Sequence, residues 1–295
     1  MTVAELLDGQ PQAAIRNLWE PLCIAALNTP LPVASAQIFL NVLAAAFARQ
    51  AHDSDTLMPR VDLSSLFPDA AAAYVVDRGG SIRKGTTVTG IAPRGDHVVL
   101  RSGYTDESFG DAVIAVGPHQ LSHLLGGAIE SPEAAYAVAC VEQFAYEPII
   151  TAYLKYDRPL GLKQPMQKLA GTPGQWLFDR GQLDGPQGLA SVVISTEPKG
   201  ARQDHPALLR AIDDQLRRVL PGLPAPAWLK VIAERRATYA CTAGLKRPPP
   251  GAIAPRLYLA GDYTDPEFPA TLEAAARSGV TAARELLAAS PSRAS

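Results

Sequence analysis

Near the N-terminus, apolar side chains recur one helical turn apart. Ile15, Leu18, Trp19 and Leu22 show this spacing, which predicts helix across residues 13–50. Pro21 should divide or kink that helix, because proline removes an N–H and crowds the preceding turn. NTPLPVAS interrupts the pattern as a loop and offers Ser35 as a new helix start, after which QIFLNVLAAAFARQA is almost continuously apolar. A further helix is expected from Pro68 to the Gly79-Gly80 pair, with proline just inside its start and glycine past its end.

Beyond Gly80 the period shortens. SIRKGTTVTGIAPRGDHVVLRSG alternates β-rich runs with turn signals such as PRGD, the pattern of an antiparallel meander. Residues 112–116 form a strand that stops at Gly117-Pro118. ITAYLKY, QWLFDRG and LASVVIST read as further strands. Residues 206–220 form an amphipathic helix with Leu208, Leu209, Ile212, Leu216, Val219 and Leu220 on one face. A Pro-rich turn, PGLPAPAW, leads to a strand near WLKVIAERRATYA, and GLKRPPPGAIAPR reads as loop. A short apolar strand, RLYLAGDY, then gives way to a small-residue helix, PATLEAAARSGVTAARELL. The Ala- and Ser-rich tail after Ala288 should fray.

Composition narrows the function classes. The chain has 295 residues, of which 47% are hydrophobic and 19% charged, enough for one large or two ordinary domains with a sizeable core. Its net charge of −2 gives no electrostatic case for nucleic acid. Cys23, Cys140 and Cys241 are far apart and lack metal-ligand spacing, so buried reduced thiols and a cytoplasmic setting are expected. No signal peptide is visible at Met1. No apolar run reaches the roughly 18 residues of a membrane span, so any membrane contact should be peripheral. The 38–47 helix is the best surface for it, with Phe39, Leu40, Val42, Leu43 and Phe47 as anchors; a core role for the same helix is the competing reading.

The chemistry concentrates in LYLAGDYTDPEFPATLEAAARSG, residues 257–279. Gly261 lets a ligand approach the strand end closely. Asp262 places a carboxylate there to accept hydrogen bonds from ligand hydroxyls. The helix beginning near Pro269-Ala270-Thr271 offers free N–H groups and a partial positive charge, which favour an electron-rich or anionic ligand. Small residues at 274, 275, 276, 278 and 279 let that helix pack closely on a neighbour.

This run resembles the C-terminal flavin motif of the FAD-dependent amine oxidase and phytoene desaturase superfamily. LWEPLCIAALNTP, MPRVDLSSLFPDAAAAYVVDRGGSIRKGTTVTGI, GQWLFDRG and ERRATYACTAGLKRPPP resemble its squalene-associated branch, whose characterised activity is dehydroxylation of hydroxysqualene. The resemblance implies an α/β fold: a split, incomplete FAD/NAD(P)-binding Rossmann-like domain with an α+β substrate domain. It assigns 1–78 to the helical part of the substrate domain, 79–118 and 254–289 to the FAD-binding domain, and 119–253 to the substrate domain. It gives FAD as cofactor, with Asp262 beside Gly261 at the ribityl–pyrophosphate region. The backbone of Thr271, Leu272 and Glu273 would face the pyrimidine edge of the flavin ring. Val88 matches a position where backbone meets adenine, though an ordinary sheet valine fits it equally. Tyr263 is the weak candidate for a hydroxyl donor. The substrate implied is a long apolar terpenoid, made into squalene for hopanoid biosynthesis when hydride from reduced flavin replaces an ionised hydroxyl. No GxGxxG turn occurs, so the resemblance covers the C-terminal two-thirds of such an enzyme and this chain alone should retain little FAD. A carotenoid-type desaturase, a flavin amine oxidase and a non-catalytic remnant or interaction module lacking FAD are the alternatives.

Other groups read more plainly. His119 and His123 could share one helix face, but further ligands are absent nearby in sequence, so no metal is expected. Gly117-Pro118 either lies along the cofactor or simply terminates a strand. Arg60 and Asp62 suggest a surface or interdomain salt bridge first and a polar cluster near the active cavity second. Trp176, Phe178 and Tyr239 suit ordinary packing first and an apolar tunnel second.

Overall fold

The computed structural model describes residues 1–48, 50–126, 130–196 and 204–289. The tail expected to fray lies, from residue 290 on, outside the described residues. The chain opens with α1 (Val3–Leu6), α2 (Gln12–Ala14), a π-helical stretch (Ile15–Trp19), α3 (Glu20–Leu27) and α4 (Ala36–Phe47). Pro21 falls in the first turn of α3, which continues directly from the π-helical stretch with helical backbone at Trp19 and Glu20, so the helical run changes type beside the proline rather than breaking. Ser35 caps α4, its hydroxyl accepting from the Ile38 N–H at 3.4 Å. Ser35→Ala should cost about 1 kcal/mol, seen as a lower melting temperature with the folded spectrum unchanged.

Next come α5 (Leu63–Leu66) and α6 (Pro68–Asp77), then β1 (Gly90–Arg94), β2 (His97–Ser102), β3 (Thr105–Phe109) and β4 (Ala112–Ile114). They are followed by α7 (Pro118–Leu125), α8 (Pro132–Val141), β5 (Tyr146–Lys155), β6 (Met166–Lys168), β7 (Trp176–Asp179), β8 (Leu189–Ser195) and α9 (His205–Val219). The chain closes with β9 (Trp228–Tyr239), β10 (Gly251–Ala254), β11 (Leu257–Leu259) and α10 (Leu272–Ala289). Packing divides these elements into two units.

The first unit comprises Met1–Asp53, Lys84–Ala145 and Tyr239–Ser295. It holds the expected antiparallel meander, β1-β2-β3, in which Arg94 pairs with His97 across the Gly95-Asp96 turn. Its second sheet has the order β10-β11-β4. β4 and β11 run parallel, with Ile114 opposite Leu259, so both strands deliver the chain to the same edge. β10 replaces part of the loop expected over GLKRPPPGAIAPR. Its strand character depends on distant groups, since the Ala252 N–H donates to the Glu285 carboxylate of α10 at 2.8 Å. Gly251 has φ 108°, and a β-carbon there would run into that carboxylate.

Within this unit α4 has two faces. Ile38 and Phe39 are buried, which rules out Phe39 as a surface anchor, whereas Leu40 and Phe47 are exposed. Cys23, Cys140 and Cys241 are free and buried. Burial pushes the Cys23 thiol up to about 12 and that of Cys241 up to about 11, so both stay protonated and unreactive at neutral pH.

The second unit comprises Ser54–Arg83 and Tyr146–Thr238. Its sheet has the order β6-β7-β8-β5-β9. Ile150, Ala152 and Leu154 of β5 alternate inward and share a core with Leu177, Val192, and Ile212 and Leu216 of α9. The buried Gln215 amide satisfies an adjoining loop: it accepts from the Gly174 N–H at 2.8 Å and donates to the Ala170 and Gly174 carbonyls at 2.9 and 3.0 Å. Asp62 does not pair with Arg60. Its carboxylate caps α5, accepting from the Ser64 and Ser65 N–H groups at 2.9 and 3.1 Å.

Candidate functional site

Leu257, Tyr258 and Leu259 of β11 are all buried, the pattern of a strand covered on both faces. The strand ends in Gly261, whose φ and ψ are both 158°. A β-carbon at this position would strike the ring of Tyr263. The Gly261 N–H donates to the Ser278 hydroxyl of α10 at 2.9 Å, and that hydroxyl donates to the Ala275 carbonyl at 2.7 Å. The small residues of α10 thus allow the close approach their sequence suggested.

Asp262 opens a single 3-10 turn, Asp262–Thr264, that packs against α10. Burial pushes its carboxyl above the ordinary range, while the Tyr263 N–H and the charge of Arg247 pull it back. It forms no ion pair among the described residues. Thr271 caps α10, with its hydroxyl 3.2 Å from the Ala274 N–H and its carbonyl 3.1 Å from the Ala275 N–H. The first-turn N–H groups of Leu272 and Glu273 stand at an open helix end, where the Leu272 side chain is 76% exposed.

The structure therefore brings Gly261, Asp262, Thr271, Leu272 and Glu273 together around the strand–turn–helix junction. Gly117 ends the strand parallel to β11 and precedes the first turn of α7. Val88 lies elsewhere in the same unit, 40% exposed in the irregular segment before β1 and not in a sheet. Tyr263, the candidate hydroxyl donor, is fully buried, edge-on to Phe144 at 6.4 Å between ring centroids. Tyr239 packs on the same Phe144 at 5.3 Å. His119 and His123 do share α7, and no group of three metal-ligating side chains occurs among the described residues.

Sequence reasoning missed Arg247, Asp265 and Arg277, and took Ser278 only as a small residue. Arg247 lies in a loop whose composition, KRPPP, carries no site signal. Ser278 could have been found as the one hydroxyl on the small-residue face of the helix.

Two parallel strands end together here, each feeding a helix, with a carboxylate and an open helix N-terminus beside the strand end. This is the cofactor-crevice arrangement of an α/β protein. The chain belongs to the flavin containing amine oxidoreductase family, whose model matches residues 9–287. It is 32% identical over 285 residues to a hydroxysqualene dehydroxylase of Rhodopseudomonas palustris and 29% identical over 279 residues to one of Zymomonas mobilis. These matches cover 92% and 91% of this chain and 62% of each relative. The chain thus spans somewhat under two-thirds of the length of these curated relatives. Among solved structures, a redesigned putrescine oxidase superposes with a TM-score of 0.72 at 15% identity, over 98% of this chain and 68% of that one. The cyclohexylamine oxidase of Brevibacterium oxydans gives 0.65 at 13%, over 98% and 67%. The α/β fold and the family resemblance read from the sequence are both borne out.

The residues present fit a flavin. Asp262 is a partly buried acceptor that no cation of the described chain claims. The turn it opens packs against the 18-residue α10, and the space a β-carbon at Gly261 would need is filled by the Tyr263 ring, so the glycine serves the turn rather than an open approach.

Proposed function

We propose that this chain holds the flavin and the substrate of an FAD-dependent oxidoreductase. Its substrate is a long apolar terpenoid, and its reaction is reductive removal of the hydroxyl of hydroxysqualene to give squalene. The observation that carries this reading is the Asp262–α10 junction in a chain matched over 91–92% of its length by relatives with that activity in their names. Bound in its reduced form, the flavin would supply hydride to the carbon whose hydroxyl takes up a proton and leaves as water. Asp262 accepts hydrogen bonds from cofactor hydroxyls. The N–H groups of Leu272 and Glu273 stabilise negative charge on the ring edge facing them. Gly261 lets the turn fold over the Tyr263 ring, and Ser278 locks the strand end that carries Asp262.

The test supplies FAD, a reductant and hydroxysqualene and follows squalene by gas chromatography. New double bonds in a polyene substrate would instead indicate a desaturase, and peroxide from amines an amine oxidase. A chain that neither quenches flavin fluorescence nor turns over any of these substrates is the non-catalytic module.

A substrate of this class resides in lipid, and no helix of the described residues is long and apolar enough to cross a membrane. Contact is then peripheral, at the cytoplasmic face, through the exposed Leu40 and Phe47 of α4. Leu40→Ser with Phe47→Ser should reduce co-sedimentation with liposomes severalfold at an unchanged melting temperature. Equal sedimentation of the double variant and the parent rules this surface out.

A further inference from the structure

Between Asp262 and the first turn of α10 the chain crosses a strap, residues 265–268. Asp265 folds it: one carboxylate oxygen accepts from the Glu267 and Phe268 N–H groups at 2.8 and 3.0 Å. Arg277, itself on α10, pairs with the other oxygen of Asp265 at 3.2 Å and with Glu267 at 2.7 Å. Its guanidinium also lies 4.9 Å from the centre of the Phe268 ring. These contacts join the strap to its own helix, so strap and helix start form one piece. They do not fix that piece to the rest of the unit.

Arg247 supplies that attachment. One guanidinium nitrogen donates to the Tyr239 hydroxyl and to the Phe268 carbonyl, both at 2.6 Å, and a second donates to the Pro266 carbonyl at 2.9 Å. Tyr239 is buried against Phe144, so one end of this tie is anchored in the core. Asn41 of α4 adds a single bond to the Glu267 carbonyl at 3.0 Å. A planar guanidinium can span a hydroxyl and two carbonyls at once; a lysine ammonium presents one point charge on a flexible stem.

We propose that Arg247 is a positioning residue for the cofactor site: it holds the 265–268 strap and thereby sets where the N-terminal N–H groups of α10 stand relative to Asp262. The flavin reading of the preceding subsection supplies the identity of the ligand. The mechanical tie stands on the geometry alone, and the two are tested separately.

Hydrogen exchange on the ligand-free full chain tests the tie. In Arg247→Met, exchange across 265–271 should rise about tenfold, as expected for local opening after loss of charge-assisted bonds, while α1, α9 and the β5–β8 pair keep their protection. Arg247→Lys should recover part of that protection. Unchanged protection at 265–271, or a loss spread evenly over α1 and α4, overturns the tie. Titration with FAD, followed by flavin fluorescence, tests what the tie serves. About tenfold weaker binding in Arg247→Met, partly rescued in Arg247→Lys, is the expected result. Looser exchange with unaltered FAD affinity overturns the positioning role. The unaltered chain, expected to keep little FAD through purification, should still take up FAD supplied in large excess; no uptake under excess FAD removes the flavin reading and the ligand half of the proposal, and the exchange result still decides the tie.

Discussion

Asp262→Ala should weaken FAD binding by roughly ten- to a hundredfold, the equivalent of about 1.5–3 kcal/mol for a hydrogen bond to a charged group. Asp262 is placed for this role by the strand end before it and by the turn that packs against α10. The same substitution should not harm the ligand-free fold. Burial raises the Asp262 carboxyl, so between its unfolded and folded values the native state binds more protons than the unfolded one. Stability must then fall as pH rises through that window, and at neutral pH the ionised carboxylate opposes folding. Asp262→Asn, which removes the charge and keeps the shape, should leave the ligand-free chain at least as stable at pH 7 and flatten its stability profile above pH 4. Paired FAD titrations and thermal melts check both halves. Equal FAD affinity in the parent and Asp262→Ala would remove Asp262 from the cofactor site.

Gly261→Ala should be the more damaging change to structure. Backbone at φ 158°, ψ 158° belongs to a region used almost only by glycine, at about 1–3 kcal/mol for another residue. The new methyl would also meet the Tyr263 ring, and neither partner can retreat. Tyr263 is enclosed, and the Gly261 N–H is fixed by Ser278. A melting temperature several degrees lower is expected, together with loss of FAD binding, because the displaced turn carries Asp262. A variant that melts with the parent would show that the turn is softer than its packing indicates.

Much of the architecture was legible because it obeys local rules. The PRGD turn needs only a two-residue connection between β-rich runs, and Gly95-Asp96 supplies it. The 206–220 helix shows its apolar face in one pass, and α9 buries Ile212 and Leu216 from that face. The Gly261–Asp262 strand end and the α10 start were legible because a tight strand-to-helix turn demands glycine and a helix start demands a capping residue. What escaped depends on distant partners. β10 is four residues, GAIA, held by a glutamate far along the chain. The strap's hold on the site resides in Arg247 and Asn41, which no local pattern marks. The packing of Ser54–Arg83 with Tyr146–Thr238 joins stretches of chain with no shared periodicity. α4 reads as uniformly apolar, and only its neighbours decide which residues are enclosed.

One helix spans the distance between two sheet attachments. α10 grips β11 through Ser278 and the Gly261 N–H, and β10 through Glu285 and the Ala252 N–H. Those grips are seven residues apart, about 10 Å along a rigid rod. The hairpin cannot fray at either strand without lifting the same helix. Occupancy at the Asp262 end should therefore slow proteolytic nicking around Gly251, on strand residues that touch no ligand, making the hairpin a remote gauge of whether the crevice is filled.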